Sequence, residues 1–385
     1  LFAPSGSQVV KKTMLINAFV QTLDPALPPT SPERSLGANP ATWLAQQVVT
    51  VGIQTVTQVT GAFWTSGQRQ AANLHEVSYR ACFKPQLPAY FIKRFSIPGD
   101  QVYDPFSGRG TTAIEAALWG RNVVANDANP LSALLAKSRL SVPCLTEVAM
   151  RLHDIQMDIN ARADIDLSMF YHPDTEAELV SLRQYFKIRY ESGTEDGIDR
   201  WIRMVVTSRL TGHSPGFLSV YTFPPNQAVS QESQLKINVK RGQVPGYRDT
   251  KAIILKKSRQ LLRGLTSEQI GRLHAAAQQA RFLTGDARTT PEIPDASIQL
   301  TVTSPPFLDI VHYAEDNWLR CWFNDIPNTK ISLQITRERN VARWSAVMGQ
   351  VFAELFRVTQ MGGFVAFEVG ELRHGKLKLE EAVVP

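Results

Sequence analysis

The residues best suited to chemistry fall in three places. The first is Asp104-Pro105-Phe106-Ser107-Gly108-Arg109-Gly110-Thr111-Thr112, an acid followed by two close glycines and hydroxyls. Glycines let a backbone turn tightly and approach a ligand, and a helix N-terminus just beyond them favours a carboxylate or phosphate. Asp127 follows, an acid placed to accept both hydroxyls of a ribose. Alone, these residues leave two readings open. One is a plain strand–helix turn; the other is a nucleotide site, because Gly108 and Gly110 followed by Ala113 mimic a dinucleotide fingerprint. The second place is Thr303-Ser304-Pro305-Pro306-Phe307. Two consecutive prolines fix φ and lack amide hydrogens, so the turn is rigid. It would present the Ser304 hydroxyl, the Pro305 carbonyl and the Phe307 ring together. Two acceptors beside an aromatic plate suit a planar heterocycle bearing an amino group, although the same residues alone also describe a rigid loop with a buried Phe. The third place is a basic block. Residues 233–263 hold Lys236, Lys240, Arg241, Arg248, Lys251, Lys256, Lys257, Arg259 and Arg263 against Asp249 alone.

Elements must hold these groups. Gln101–Phe106 predicts a short buried strand, Thr111–Trp119 a helix ended by Gly120, and Asn122–Asp127 the next strand, a βαβ unit of an α/β fold. Strands are also predicted at 281–283, 297–302 and 363–369, with a helix at 344–358 ahead of the last. The expected fold class is therefore α/β, one doubly wound Rossmann-like sheet interrupted by a largely helical insertion over 141–280. Residues 1–40, broken by Pro28-Pro29-Thr30-Ser31-Pro32, read as an extended arm or loop. From 41 to 70 the spacing of Trp43, Leu44, Val48 and Val49 is loosely helical, which makes 1–70 an arm plus helix.

Taken together, the Asp-Pro-Phe-Ser-Gly-Arg-Gly-Thr-Thr and Thr-Ser-Pro-Pro-Phe motifs resemble the S-adenosylmethionine-dependent DNA amino-methyltransferases. The serine that opens Ser304-Pro305-Pro306-Phe307 most resembles the cytosine-N4 enzymes, since adenine-N6 enzymes more often carry Asp there. The resemblance covers roughly 75–140 and 281–373. It implies a catalytic domain at 71–140 and 281–385, with the insertion as target-recognition region. It implies that Asp104, Pro105, Phe106, Ser107, Gly108, Gly110 and Thr111 line the cofactor, with Asp104 near its amino group. Asp127 would take the ribose. His75, Phe83 and Pro85 belong to a segment that helps hold the methionine part, and Asp286 would accept from the adenine amino group. Ser304, Pro305, Pro306 and Phe307 would form the catalytic loop, on which a flipped cytosine receives a methyl group at N4. Glu368 ends a strand, and functional and structural roles both stay open for it. Further strands are expected after it.

The same resemblance implies double-stranded DNA as partner and brings in a cognate restriction endonuclease. It leaves adenine-N6 and RNA amino-methylation as alternatives, with a non-catalytic DNA-binding or nicotinamide-binding module outside the class. The basic block reaches nucleic acid by a separate route, because Lys and Arg contact phosphates. Charge divides the insertion: 141–232 has eight Lys or Arg against thirteen Asp or Glu, whereas the whole 385-residue chain carries only +6. Apolar content of 43% excludes disordered and fibrous classes. No apolar stretch reaches the ~18–20 residues of a membrane span, and no basic-then-apolar leader opens the sequence. Cys82, Cys144 and Cys321 are odd in number and far apart, which fits a reducing compartment. A cytoplasmic location is expected, at the nucleoid if bacterial. Cys144 reads as a small buried residue rather than a nucleophile, and Trp318 and Trp322 as helix core more than base-stacking residues. The histidines have no zinc spacing, so no metal is expected.

Overall fold

Val102, Tyr103, Val123, Val124 and Ala125 are all buried, as expected of strands covered on both faces in a parallel sheet. The computed structural model describes residues 12–16, 45–51, 54–61, 71–79, 82–224, 226–306, 313–327 and 340–369, with short pieces beyond (371–372, 377–379 and 382). Its first strands are β1 (Lys12–Ile16), β2 (Ala45–Val51) and β3 (Gln54–Gly61). They form an antiparallel sheet in the order β1-β3-β2. The loosely helical reading of 41–70 is therefore wrong, and the arm contains a strand. Val48, Val49 and Thr50 face Thr57, Val56 and Thr55 in turn across the β2–β3 pair. Such β-branched runs favour strands, and they outweigh an apolar spacing that matched a helix by coincidence.

A second, larger sheet follows with its helices: α1 (Gln86–Phe95), β4 (Gln101–Asp104), α2 (Thr111–Leu118), β5 (Asn122–Asp127) and α3 (Leu131–Leu140). The insertion supplies α4 (Leu145–Asp154), α5 (Pro173–Glu191), α6 (Gly197–Arg209), α7 (Gln231–Arg241), α8 (Thr250–Leu262) and α9 (Ser267–Gln279). The chain then returns to the sheet through β6 (Arg281–Thr284) and β7 (Ile298–Thr303). Two short helices, α10 (Tyr313–Asp316) and α11 (Trp318–Phe323), precede α12 (Val341–Val358) and β8 (Thr359–Phe367). Glu371–Leu372 and Leu377–Lys378 pair as a small antiparallel ribbon.

The five strands run in the order β6-β5-β4-β7-β8, and every neighbouring pair is parallel. The order reverses between β4 and β7, so a crevice opens at their carboxyl ends, the place where open α/β sheets bind ligands. Two layers seal the sheet. Ile114, Leu118 and Leu273 from α2 and α9 join one core, which continues into the insertion through Trp201, Ile202 and Ile254. Trp344, Met348, Val351 and Leu355 of α12 cover the opposite face over Tyr103 and Val124. The insertion thus shares the core of the five-stranded sheet. Among the described residues, no helix is long and apolar enough to cross a membrane.

Gly110 has φ +78°, and a Cβ built there would lie 2.4 Å from the Cβ of Ala136 on α3. Close packing of α2 against α3 thus depends on the absent side chain. Gly110→Ala should destabilise by about 2–4 kcal/mol, from overpacking plus left-handed strain. Gly99→Ala, at φ +94° with nothing within 4 Å of its Cβ, should cost only about 1–2 kcal/mol. Urea unfolding of the two variants checks the difference.

Candidate functional site

At the end of β4 the chain turns back on itself. The Ser107 N–H donates to the Asn126 carbonyl at 3.0 Å, and the Gly110 N–H donates to the Ser107 carbonyl at 2.6 Å. Gly108 takes φ +52°, and its N–H donates to Asp127 Oδ2 at 2.7 Å. The other oxygen, Asp127 Oδ1, accepts from the Asn129 N–H at 2.8 Å. The glycine turn and the acid at the end of β5 are therefore tied directly together. Burial pushes the Asp127 carboxyl up to about 6 in spite of these two N–H donors.

Asp104 is 1% exposed. Its Oδ1 accepts from the Thr303 hydroxyl at 2.6 Å and from the Phe106 N–H at 3.1 Å. Burial pushes this carboxyl up to about 7. Thr303 immediately precedes Ser304, so one hydrogen bond joins the two motifs across the β4–β7 crevice. Ser304 and Pro306 are half-buried and Pro305 is buried. Phe307 lies outside the described residues. Three further bonds fix the loop: Thr112 donates to the Val302 carbonyl at 3.0 Å, the Trp344 indole to the Pro306 carbonyl at 3.1 Å, and the Glu368 N–H to the Thr303 carbonyl at 2.8 Å. Glu368 thus stands beside the loop by its backbone.

Around the turn, Asp104 Oδ2, Ser107 Oγ, Asn126 Oδ1 and Asn129 Nδ2 are buried without a partner among the described residues. Asn126 and Asn129 went unnoticed in the sequence, though an Asn on each side of Asp127 at a strand end was a usable signal. Asn126 Nδ2 donates to the Gly285 carbonyl at 3.1 Å, and the Gly285 N–H to the Asp127 carbonyl at 3.2 Å, which brings the end of β6 into the site. The Asp286 carboxylate, however, is exposed and held by Arg288, 2.5 Å from Nη2. The guanidinium keeps its pKa below the usual range.

The segment before α1 carries His75, Phe83 and Pro85. His75 is buried with Nε2 2.7 Å from Glu115 Oε1 on α2, and burial lowers its pKa although Glu115 opposes the shift. Phe83 packs against the core and Pro85 stands at the N-cap of α1. The residues of this segment that approach the turn are Tyr79 and Cys82, whose side chains lie 3.7 and 4.0 Å from a Cβ built on Gly108. Neither was singled out in the sequence.

The basic block divides. Lys256 and Arg259 are exposed on α8, as are Lys236, Lys240 and Arg241 on α7. Arg248 is half-buried, and the Lys251 ammonium donates to the Ile155 carbonyl at 2.8 Å. Lys257 must be removed from the surface set. It is 5% exposed, 3.8 Å from Glu76, and burial lowers its pKa to about 8. Its α8 neighbours Ile254, Ser258 and Leu261 are buried with it, because helical spacing puts all four on one inward stripe. Cys144 is also corrected. It is exposed at the N-cap of α4, where the polar end of a helix faces solvent. Trp318 donates to the Val229 carbonyl, and Trp322 donates to Asp164 under the Arg183 guanidinium, so both have structural partners.

Residues 46–137 match the family of N6/N4 methyltransferases described as DNA methylase. Among individual proteins, the chain is 36% identical over 76 residues to the Type II methyltransferase M.MjaII of Methanocaldococcus jannaschii, which covers 20% of this chain and 14% of that protein. It is 38% identical over 93 residues to the Type II methyltransferase M.MthZI of Methanothermobacter thermautotrophicus, covering 23% of this chain and 26% of the relative. It is 28% identical over 97 residues to the Type II methyltransferase M.MvaI of Kocuria varians, covering 24% and 20%. The matched region therefore spans about a quarter or less of each relative's length.

Removing the hydroxyl that joins the two motifs should be felt in stability. Thr303→Val, nearly isosteric, takes a donor from a buried carboxylate and should cost about 1–3 kcal/mol, whereas Thr303→Ser should stay close to the parent. Equilibrium unfolding of both variants decides it.

Proposed function

We propose that this chain moves a methyl group from S-adenosylmethionine to the exocyclic N4 of a cytosine flipped out of duplex DNA. Its support is the meeting of the Asp104 turn and the Ser304-Pro305-Pro306 loop at one crevice, joined by the Thr303–Asp104 bond. The similarity of residues 46–137 to DNA methylases supports the reaction class. The choice of cytosine over adenine rests on serine, rather than aspartate, at position 304. The relatives' Type II designation also makes a companion restriction endonuclease part of the proposal.

The partnerless atoms fit such a cofactor. Asp104 Oδ2 and Asn126 Oδ1 are acceptors, Asn129 Nδ2 is a donor and the Ser107 hydroxyl is either. A molecule carrying an ammonium, hydroxyls and an adenine amine can use all of them. Asp104 would take the ammonium, and Asp127, already oriented by two N–H groups, would take the ribose. Bound there, S-adenosylmethionine supplies an electrophilic methyl group on a sulfonium. Ser304 and the Pro305 carbonyl accept the N–H hydrogens of the target amine, which draws its lone pair out of conjugation with the ring. Trp344 holds the Pro306 carbonyl and so keeps the loop rigid. Most of the rate then comes from alignment of amine and methyl, an effect worth several kcal/mol. The base reaches this geometry only outside the helix, with Phe307 as its stacking partner. Lys236, Lys240, Arg241, Lys256 and Arg259 contact phosphates, with Arg248 and Lys251 nearer the surface of the insertion than Lys257.

Incubation with labelled cofactor and plasmid, followed by nucleoside mass spectrometry, should give N4-methylcytosine. N6-methyladenine would overturn the choice of base, and label entering RNA alone would overturn the choice of DNA. Ser304→Ala should lower kcat by about 10²-fold with cofactor affinity kept, as loss of one aimed hydrogen bond does elsewhere.

A pH dependence follows from Asp104. Its carboxyl titrates at about 7, and pairing with a ligand ammonium requires the ionised form. Affinity for S-adenosylmethionine is thus complete above about pH 7 and falls as pH drops through that value, approaching tenfold per unit. Asp104→Asn should bind weakly at every pH and retain only the shallower fall through about 6 set by Asp127. Calorimetric titration across this range measures both.

A further inference from the structure

Helix α7 is inside out. A surface helix ordinarily buries its apolar stripe and exposes its polar one. Here the fully inward positions are Gln234, 0% exposed, and Asn238, 8%, with Ile237 half-buried against the core beside them, while Leu235 and Val239 are 50% and 83% exposed. The polar side is fixed in place. Gln234 Nε2 donates to the Tyr221 carbonyl at 3.0 Å and to Asn238 Oδ1 at 2.7 Å, and Asn238 Nδ2 donates to the Met169 carbonyl at 2.8 Å. Gln243 Nε2 closes the ladder with bonds to Tyr221 and Asn238. The apolar side continues beyond the helix in Val244, 85% exposed. Folding alone gives no reason for this arrangement; a partner on the outer face does.

Charge identifies the partner. Lys236 and Lys240 are exposed beside Leu235 and Val239, and Arg241 lies over the Tyr221 ring at 3.8 Å. Glu232, paired with Lys236 at 2.6 Å, is the helix's carboxylate. A membrane-lying helix needs a continuous face of large apolar groups. Here medium-sized side chains alternate with lysines, on a helix whose other side is pinned to the protein. That pattern suits duplex DNA. The major groove admits an α-helix, and the apolar group on its base edges is the thymine methyl. Cations on either side reach the phosphates that set register.

We propose that α7 enters the major groove and reads thymine methyl groups through Leu235 and Val239, with Lys236, Lys240 and Arg241 on the flanking backbone. This rests on the DNA-methylating function above and names the element that gives it sequence preference.

The test compares methyl transfer into a plasmid and into a copy of it made with deoxyuridine in place of thymidine, which removes only the methyl groups. The wild-type chain should act about fivefold or more slowly on the uracil copy, the size of one lost base contact. L235S/V239S should act equally on both, with its thermal unfolding unchanged, and modified-base sequencing should show its site preference relaxed. Equal wild-type rates on the two plasmids overturn the assignment of α7 while leaving DNA methylation intact. Retained discrimination in L235S/V239S does the same. Binding to phosphatidylglycerol vesicles that L235S/V239S loses, with DNA rates unmoved, would put a membrane on this face instead. Absence of transfer into either plasmid defeats the underlying function as well.

Discussion

The arrangement depends on a single hydrogen bond, from the Thr303 hydroxyl to Asp104 Oδ1, 2.6 Å long and fully buried. Strand order alone brings the ends of β4 and β7 side by side and then sends their continuations apart, which opens a crevice without fixing its width. The bond fixes it. It also commits one oxygen of Asp104 to the protein and leaves Oδ2 facing inward without a partner. A carboxylate so placed is costly to ionise, which is why it titrates near neutrality. The neighbouring bonds from Thr112, Trp344 and the Glu368 N–H approach β7 and its loop from α2, α12 and β8. β4, α2, α12 and the end of β8 therefore all restrain β7 or its proline turn.

The segment 74–79 does comparable work between the turn and the insertion. Arg139 Nη1 donates to the Leu74 carbonyl at 3.1 Å and Arg109 Nη1 to the Val77 carbonyl at 3.2 Å. Arg209 reaches the Ser78 hydroxyl at 3.3 Å, and Arg320 lies 5.9 Å from the Tyr79 ring centre. These cations come from the glycine turn, α3, α6 and α11. The planar fork of arginine suits them to it, since it can satisfy several carbonyls while staying charged. Movement of the insertion would disturb the segment that also contacts Gly108.

Much of this was legible beforehand. The βαβ unit, the later strands, the helical insertion and both motifs depend on local signals: apolar runs of strand length, glycine and proline at turns, and hydroxyls at fixed offsets. Asn122–Asp127 even matches its strand end to end. What escaped depends on partners distant in sequence. Trp344 is only the first residue of a predicted helix until its indole is seen on Pro306, and Thr303 only the residue that opens the proline motif until Asp104 is opposite it. The resemblance places His75 in a segment that holds the cofactor, and nothing in the sequence announces Glu115 as its neighbour. The β2–β3 hairpin was missed for the opposite reason. Its β-branched residues were a local signal, overridden by a spacing of four apolar side chains.

The net charge is the clearest case of a quantity that changes meaning on folding. The basic block appears in sequence as a uniform run, yet the helical period divides it. Lys256 and Arg259 project outward from α8, while Lys257 turns inward toward Glu76. Burial and the nearby Arg209 lower the pKa of Lys257 to about 8, and burial and Arg320 lower that of Arg209 to about 10. Lys257 and Arg209 repel one another in a seam where both feel Glu76, and Arg320 adds to the repulsion on Arg209. They persist because carbonyls, a hydroxyl and aromatic faces solvate them, Arg209 lying 4.0 Å over the Phe217 ring. Part of the positive charge therefore serves the join between insertion and parallel sheet. The field offered to an anionic partner comes from the remainder, concentrated on the outer faces of α7 and α8. There a lysine stands next to an exposed valine instead of an acid, and the polar residues that would normally face water are already used to hold the helix down.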